Sequence, residues 1–157
     1  MDFPIEVEYL LTRGRFGYVG TVGGDGLPHV TPVIFVSVGE ELFFATSKKS
    51  KKIKNIQENT KIAFLIDVRD PAHISRNIAV LIRGEAKVYG WRDFLLHPIK
   101  AIRVYREFQK KYSIYMRVYR EEKDKIPEAW RASPWSRKLV QVQMDNVTYW
   151  RVSERWE

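Results

Sequence analysis

The chain contains no cysteine and only three histidines, His29, His73 and His97, which lie far apart in the sequence. The lack of cysteine excludes disulfides and metal or redox centres built from thiolates. Histidines at this spacing do not favour a histidine-rich metal site either. We therefore predict that the protein holds no metal.

Long apolar runs are also lacking. No stretch approaches the ~18 uncharged apolar residues of a membrane-spanning helix. Residues 1–11 contain acidic side chains and no apolar segment long enough for a signal peptide. These features predict a cytoplasmic protein with no membrane partner.

Positive charge is in excess. The 157 residues include 27 Lys and Arg against 19 Asp and Glu, which gives a formal net charge of +8. A charge of this size favours an anionic partner, such as a phosphorylated small molecule, an acidic lipid or a nucleic acid. Hydrophobic residues make up 45% of the sequence, enough for a core, and the length predicts a single domain over residues 1–157.

Five lysines lie within residues 48–54, whose sequence is KKSKKIK. Ser50 is a favourable N-cap residue, and a helix is predicted from Ser50 to about Glu58. Helix N-termini already carry partial positive charge, so lysines there are unfavourable unless an anion is bound. Free backbone N–H groups together with the ammonium groups of Lys51 and Lys52 therefore predict a phosphate site. The alternative is a solvated lysine run.

Strands are predicted on both sides of this helix from runs rich in β-branched and aromatic residues. The predicted strands cover residues 16–22, 29–38, 41–46, 61–68, 78–89 with a bulge or bend at Gly84, and a final pair, 138–144 and 147–152, around a turn at Asp145-Asn146. Short antiparallel strands with glycine turns favour a barrel, because closure removes exposed sheet edges.

Two helical segments flank these strands. A short helix is predicted with Asp2 as its cap and Pro4 in its first turn, and it ends at Gly14. A longer pattern runs from residue 91 to about residue 119, with a possible break at Pro98, and residues 121–125 are interpreted as a charged hinge. An apolar face of this longer helix is predicted from residues three or four apart, namely Ile102, Tyr105, Phe108, Tyr112, Tyr115 and Tyr119. Its basic residues leave open a contact with nucleic acid or with a polyanionic cofactor tail.

The order of these elements resembles the FMN-binding split barrel of the pyridoxamine 5'-phosphate oxidase-like superfamily. The matching segments are FGYVGTV at 16–22, DGLPHVTPV at 25–33, LFFATS at 42–47 and the SKK helix start at 50–52. The resemblance covers about residues 5–90 and returns at the closing strands. It implies a mainly β fold, a six-stranded antiparallel split β-barrel flanked by helices.

The resemblance also implies how a flavin phosphate is bound. In this family a serine and two basic residues at the helix start hold the phosphate, and they match Ser50, Lys51 and Lys52. The end of the third strand, Thr46 and Ser47, would add phosphate or ribityl contacts. The resemblance thus places the phosphate where the lysine-rich helix start had indicated it.

The isoalloxazine ring of the flavin is expected along the second strand. The matching residues are Val30, Thr31, Pro32 and Val33, and Ala45 on the third strand completes the expected cofactor contacts. The strand backbone would meet the polar edge of the ring. Trp135 and Arg137, in a predicted aromatic loop, are either core or interface residues or a cover for the ring in a neighbouring subunit.

An FMN-dependent oxidoreductase is the function that the resemblance implies. It would pass hydride or electrons between NADH or NADPH and an unknown small molecule, as a homodimer with the flavin at the subunit interface. No catalytic side chain is identifiable, because the flavin carries the chemistry. Val30, Phe35 and Ala79 stand where the biosynthetic oxidase has two basic residues and a glutamine, so pyridoxamine phosphate is not the expected substrate.

Three alternatives stay open at this point. One is a reductase that uses the deazaflavin F420 on the same barrel, with its anionic tail on Lys48, Lys49 and Lys54. Another is a flavin-binding or haem-binding protein without turnover. The last, and least favoured, is a basic nucleic-acid-binding protein, which would show steep salt dependence.

Overall fold

The computed structural model describes residues 3–125 and 136–151. Six antiparallel strands close into a barrel in the order β1-β2-β3-β6-β5-β4, with four α-helices attached in the described part. The elements are α1 (Ile5–Arg13), β1 (Phe16–Val22), β2 (Pro28–Val38), β3 (Glu41–Ser47), α2 (Lys51–Glu58), β4 (Lys61–Val68), β5 (Ile78–Val88), α3 (Trp91–Leu96), α4 (Pro98–Glu122) and β6 (Arg137–Arg151). The predicted six-stranded antiparallel barrel with flanking helices is confirmed.

The first three strands form the predicted antiparallel meander. Both turns between them contain a glycine with positive φ, Gly26 at 71° and Gly39 at 63°, a conformation that other residues adopt at a cost. The helix before them ends at Gly14 as predicted, but Pro4 occupies its N-cap position and not its first turn. Asp2, the predicted cap, lies outside the described residues.

The predicted pair of C-terminal strands is wrong. β6 is one continuous strand that pairs with β3 over residues 137–143 and with β5 over residues 140–151. The pairing with both neighbours closes the barrel. At Asp145 and Asn146 the local preference for a turn is overridden because β6 stays paired with β5 before and after the dipeptide.

A β-bulge replaces the predicted turn. The register of β5 against β6 shifts between Arg83 and Gly84, which leaves Asp145 as the extra residue on β6. A Cβ atom on Gly84 would lie 1.9 Å from the carbonyl oxygen of Gln143, so only glycine fits this close approach. The bulge predicted at Gly84 is confirmed.

The barrel interior holds the main core, which is closed at its ends by two helices. Large aromatic side chains fill the centre, with Phe35 and Phe64 in edge-to-face contact at 5.3 Å between ring centroids. Helix α1 contributes Val7, Leu10 and Leu11 to the same core. Helix α2 contributes Ile53 and Ile56, the two residues predicted to face inward.

The apolar face predicted for the long helix is correct only in part. Helix α4 packs on β2 and buries Val104 and Tyr112, with Phe108 partly covered, whereas Ile102 and Tyr105 are exposed. The predicted break at Pro98 is confirmed, because α3 ends at Leu96 and α4 begins at Pro98. Helix α4 continues through Glu122 into a short 3₁₀ turn, so the predicted charged hinge is wrong. Among the helices of the described residues, none is both long and apolar enough to cross a membrane.

Tyr112 ties this helix to the end of the barrel. Its hydroxyl accepts a hydrogen bond from the Phe35 N–H at 2.9 Å and lies 2.6 Å from the Arg15 carbonyl oxygen and 2.8 Å from that of Phe35, to which it donates. The backbone at Tyr112 leaves the helical region, with φ −116° and ψ 18°, and the helix is kinked there. Next to it, burial lowers the pKa of Lys111 to about 8, although its ammonium group donates to the Leu11 carbonyl and lies over the Phe35 ring.

Candidate functional site

Strands β2 and β3 separate halfway along their length. Their ladder pairs residues 35–38 of β2 with residues 41–44 of β3 and goes no further. Beyond it, residues 28–34 of β2 pair only with β1, and residues 45–47 of β3 pair only with β6. The gap between residues 30–33 and residues 45–47 is called the β2–β3 split below. Every predicted cofactor-contact residue lies along it or at the start of α2.

A buried lysine reaches the end of β3 at this split. Lys52 is 9% exposed, and its ammonium group donates a hydrogen bond to the Thr46 hydroxyl at 3.1 Å. Thr46 is itself buried, and its hydroxyl lies 3.4 Å from the Ser50 hydroxyl, to which it donates. The structure thus brings together three of the predicted phosphate ligands, Lys52, Thr46 and Ser50.

Ser50 occupies the predicted N-cap position, with extended backbone angles of φ −72° and ψ 148°, and α2 begins at the next residue. The predicted capping hydrogen bond is absent, however, because the Ser50 hydroxyl faces Thr46 rather than the first-turn amides. An N-terminus without a side-chain cap keeps its N–H groups available to another acceptor.

The electrostatics of Lys52 are unfavourable in the protein alone. Burial lowers the pKa of the Lys52 ammonium group, and the nearby positive charge of Arg137 lowers it further. No carboxylate of the described residues offsets these two effects at Lys52. A buried cation is normally paired, so the arrangement favours binding of an anion.

The Lys51 side chain points to the β1–β2 turn and not to Thr46. Its ammonium group forms an ion pair with Asp25 in the β1–β2 turn, at 3.0 Å, and both side chains are about half exposed. This hydrogen bond holds the pKa of Asp25 below its usual value. Exposed ion pairs of this kind are weak, so Lys51 can exchange Asp25 for another anion.

The predicted ring contacts alternate along β2. Val30 and Pro32 face outward and are exposed, whereas Thr31 is half-buried and Val33 belongs to the core. Val33 can therefore meet a ligand through its backbone only. Among the described residues, the Thr31 hydroxyl is the one buried side-chain polar atom without a hydrogen-bond partner. A buried polar atom in this state is an unusual feature that a bound ligand would explain.

Two further site residues lie on β3. Ala45 is partly exposed, and Ser47 is exposed, with its hydroxyl accepting a hydrogen bond from the Lys49 N–H at 3.3 Å. The opposite edge of β3 is occupied by β6, where Arg137 pairs with Ser47.

Arg137 is the residue whose place the sequence did not indicate. The sequence predicts it in an aromatic loop, but it is the first residue of β6. From there its positive charge lowers the pKa of Lys52 on α2. Only a contact between residues far apart in sequence brings it there, and no local pattern reports such a contact. Trp135, grouped with it in the prediction, lies outside the described residues.

Helix α2 is fixed firmly enough to position Lys52. The buried side chain of Asn55 donates to the Thr21 hydroxyl on β1 at 3.1 Å, and the Gly24 N–H donates to Glu58 at 2.7 Å. A Cβ on Gly23 would lie 2.5 Å from the Asn55 side-chain oxygen, so the glycine turn allows the helix to approach β1. Sequence reasoning missed this support because it joins residues more than thirty positions apart.

Comparison with known proteins identifies relatives of this chain. A sequence model of the family described as pyridoxamine 5'-phosphate oxidase matches residues 3–151. The 5a,11a-dehydrotetracycline/5a,11a-dehydrooxytetracycline reductase of Streptomyces rimosus is 35% identical over 89 residues, which cover 52% of this chain. The match spans only 60% of the length of that reductase.

Solved structures share the fold. A FAD-binding protein from Mesorhizobium loti superposes with a TM-score of 0.65 at 16% identity, with 94% of each chain covered. A structure described as an F420 reductase gives a TM-score of 0.60 at 22% identity, covering 93% of this chain and 98% of the other. At identities this low, the superpositions show a shared barrel fold and do not show that the proteins bind the same ligand.

Proposed function

This chain belongs to the pyridoxamine 5'-phosphate oxidase family, and on that basis we propose that it is an FMN-dependent oxidoreductase acting on a small molecule. The observation that carries the proposal is Lys52, a buried cation without a compensating carboxylate among the described residues, at an uncapped helix N-terminus. A phosphate group would supply the missing negative charge and accept from the ammonium and backbone N–H groups.

The residues around the β2–β3 split fit the other parts of FMN. Lys52 and Ser50 would hold the phosphate, with Thr46 between them and Lys51 joining after release from Asp25. Thr31 offers an unpartnered hydroxyl, and the edge of β2 that β3 leaves unpaired offers backbone groups to a planar polar ring. When bound, FMN supplies hydride and electron transfer, while this chain's residues bind and orient it.

A homodimer is part of the proposal. The outer faces of β1 and β2 beside the split expose Phe16, Tyr18 and Val30, the last of these at 63%. Tyr18 pairs with Pro32 across the two strands, so these side chains form one apolar surface next to the expected ring position. A second subunit on this surface would exclude water from the ring and complete the site.

The test is a titration of the purified protein with FMN. We expect quenching of flavin fluorescence with a saturating stoichiometry of one FMN per chain, followed by flavin-dependent oxidation of NADH or NADPH when an acceptor is present. Failure to bind FMN, or binding that disappears on modest dilution, would contradict the proposal.

An F420-dependent reductase is the second candidate, supported by the structural likeness to a protein described as an F420 reductase. Lys48, Lys49 and Lys54 are exposed next to the proposed phosphate site and would suit a longer anionic tail. Competition between FMN and F420 for the same protein separates the two. Tighter binding of F420, lost on Lys48→Ala and Lys49→Ala, would favour the deazaflavin.

A further inference from the structure

Helices α3 and α4 expose a row of large apolar side chains far from the β2–β3 split in sequence. Between residues 91 and 105, six of them are each more than half exposed, and together they are called the apolar ridge: Trp91, Leu95, Leu96, Ile99, Ile102 and Tyr105. Three- and four-residue spacings place Trp91 with Leu95 on one side of α3, and Ile99, Ile102 and Tyr105 on one side of α4. Leu96 and Ile99 line the same groove where the two helices meet. The ridge is unusual because exposed apolar side chains normally occur singly.

The ridge is not needed to pack the helices onto the barrel. The opposite side of α4 provides Val104 and Tyr112 to the second core cluster, and Phe94 of α3 packs edge-to-face on Tyr89. These inward contacts are complete without any ridge residue. The outward side chains are therefore free to meet a partner.

The exposed charges next to the ridge are positive. Arg92, Arg103 and Arg106 are exposed, and Lys110 extends the same row one turn further along α4. Residues 91–110 contain five Lys and Arg but two acidic residues, Asp93 and Glu107. Asp93 is mostly covered and forms an ion pair with Lys87, and Glu107 lies close enough to Lys111 to act on its charge, so the row keeps an excess of positive charge.

A groove opens beside the ridge. It has a volume of about 460 Å³ and is lined by Leu96, Ile99 and Arg103, among others. An ion pair between Lys100 and Glu41 at 2.8 Å lies in its wall. The groove thus combines apolar walls with the exposed side chain of Arg103, a combination suited to an amphiphilic anion.

We propose that the apolar ridge binds the surface of a membrane that contains anionic lipids. Trp, Leu and Ile beside exposed Arg and Lys are typical of helices that lie flat in the interface. A nucleic acid would contact the basic side chains through its phosphates, but it would not cover aliphatic side chains such as Leu95 and Ile99. A second copy of the chain would bring two surfaces with the same excess of positive charge together, and like charges repel.

This inference departs from the sequence-based expectation of no membrane partner. That expectation followed from the lack of a run long enough to span a bilayer, and a helix lying in the interface needs no such run. The proposed surface is separate from the flavin site, so either proposal can fail alone.

The experiment is flotation of the full chain with vesicles of phosphatidylcholine containing about 30% phosphatidylserine. We expect binding to these vesicles, weaker binding to pure phosphatidylcholine, and release by high salt. The double variant Leu95→Gln/Ile99→Gln should lower the partition coefficient about tenfold or more, because two apolar side chains that would insert into the lipid are lost. Arg103→Gln/Arg106→Gln should lower it by a similar factor through the lost attraction to the lipid.

Ile74→Gln is the matched control, since Ile74 is exposed to a similar degree but lies between β4 and β5. It should float like wild type, and all variants should keep their melting temperature and FMN affinity. The proposal is overturned if wild type binds no vesicles, or if Leu95→Gln/Ile99→Gln floats unchanged. It is also overturned if that variant only dissociates a dimer, or if the arginines serve DNA or RNA binding instead.

Discussion

Replacing Lys52 with methionine is expected to weaken FMN binding about 100-fold or more. The ammonium group is buried beside Thr46, and in the proposed complex it donates to the cofactor phosphate in a site with little access to water. Charge-assisted hydrogen bonds of this kind contribute roughly 1.5–3 kcal/mol, and the pairing of a buried charge adds to this. Fluorescence titration of the variant with FMN measures the loss.

The same substitution is expected to leave the free protein at least as stable as wild type. Burial and Arg137 both disfavour the charged form of Lys52, and no carboxylate of the described residues compensates. Methionine has a similar length and removes the cost of burying the charge. A residue that weakens the free protein and strengthens the complex is a binding residue. Thermal unfolding without cofactor measures this effect.

Lys54→Met is the matched control. Lys54 lies on the same helix, but its side chain is well exposed and its carboxylate neighbour is Glu58, 4.0 Å away. Its loss should change the FMN dissociation constant by less than about threefold. If Lys52→Met bound FMN as well as Lys54→Met does, or if it failed to fold, the assignment of Lys52 would be wrong.

Tyr112→Phe is expected to lower the free energy of unfolding by about 2–4 kcal/mol. The buried hydroxyl accepts from the Phe35 N–H, and its one proton is donated to the carbonyl oxygen of Arg15 or of Phe35, which lie at 2.6 and 2.8 Å. Phenylalanine keeps the ring but removes one accepted and one donated hydrogen bond, at a cost of roughly 1–3 kcal/mol for each backbone group left unsatisfied. Urea denaturation followed by circular dichroism measures the difference.

Tyr105→Phe provides the comparison for this prediction. Tyr105 is on the same helix and exposed, so the loss of its hydroxyl should change stability by less than about 0.5 kcal/mol. The m-value should stay constant in both variants. A loss below about 1 kcal/mol for Tyr112→Phe would show that water or neighbouring groups replace the hydroxyl.

The strands and the lysine-rich helix start could be predicted because local patterns specify them. Runs of β-branched and aromatic residues between glycine turns predict β1 to β4 to within about one residue of the structure, and Ser50 marks the residue before α2. The sequence-based prediction is wrong where the pairing of distant segments determines the secondary structure. The continuous β6 depends on its pairing with both β3 and β5, which no local window contains.

In the candidate site, too, the residues were predicted from local patterns, whereas their contacts with distant residues were not. Lys52 and Thr46 were predicted as separate ligands, and only the structure shows that their side chains touch. Lys51 was assigned the same role, but Asp25, twenty-six residues earlier, draws it to the β1–β2 turn. Neither this ion pair nor the approach of Arg137 follows from spacing in the sequence, because each depends on how the barrel closes.

A crystal structure of the protein grown with FMN tests the central proposal most directly. We expect the phosphate in the β2–β3 split, with an oxygen about 3 Å from the Lys52 ammonium nitrogen and the ring along residues 30–33. A phosphate bound against Lys48 and Lys49 at the surface, with Lys52 still bonded only to Thr46, would contradict it.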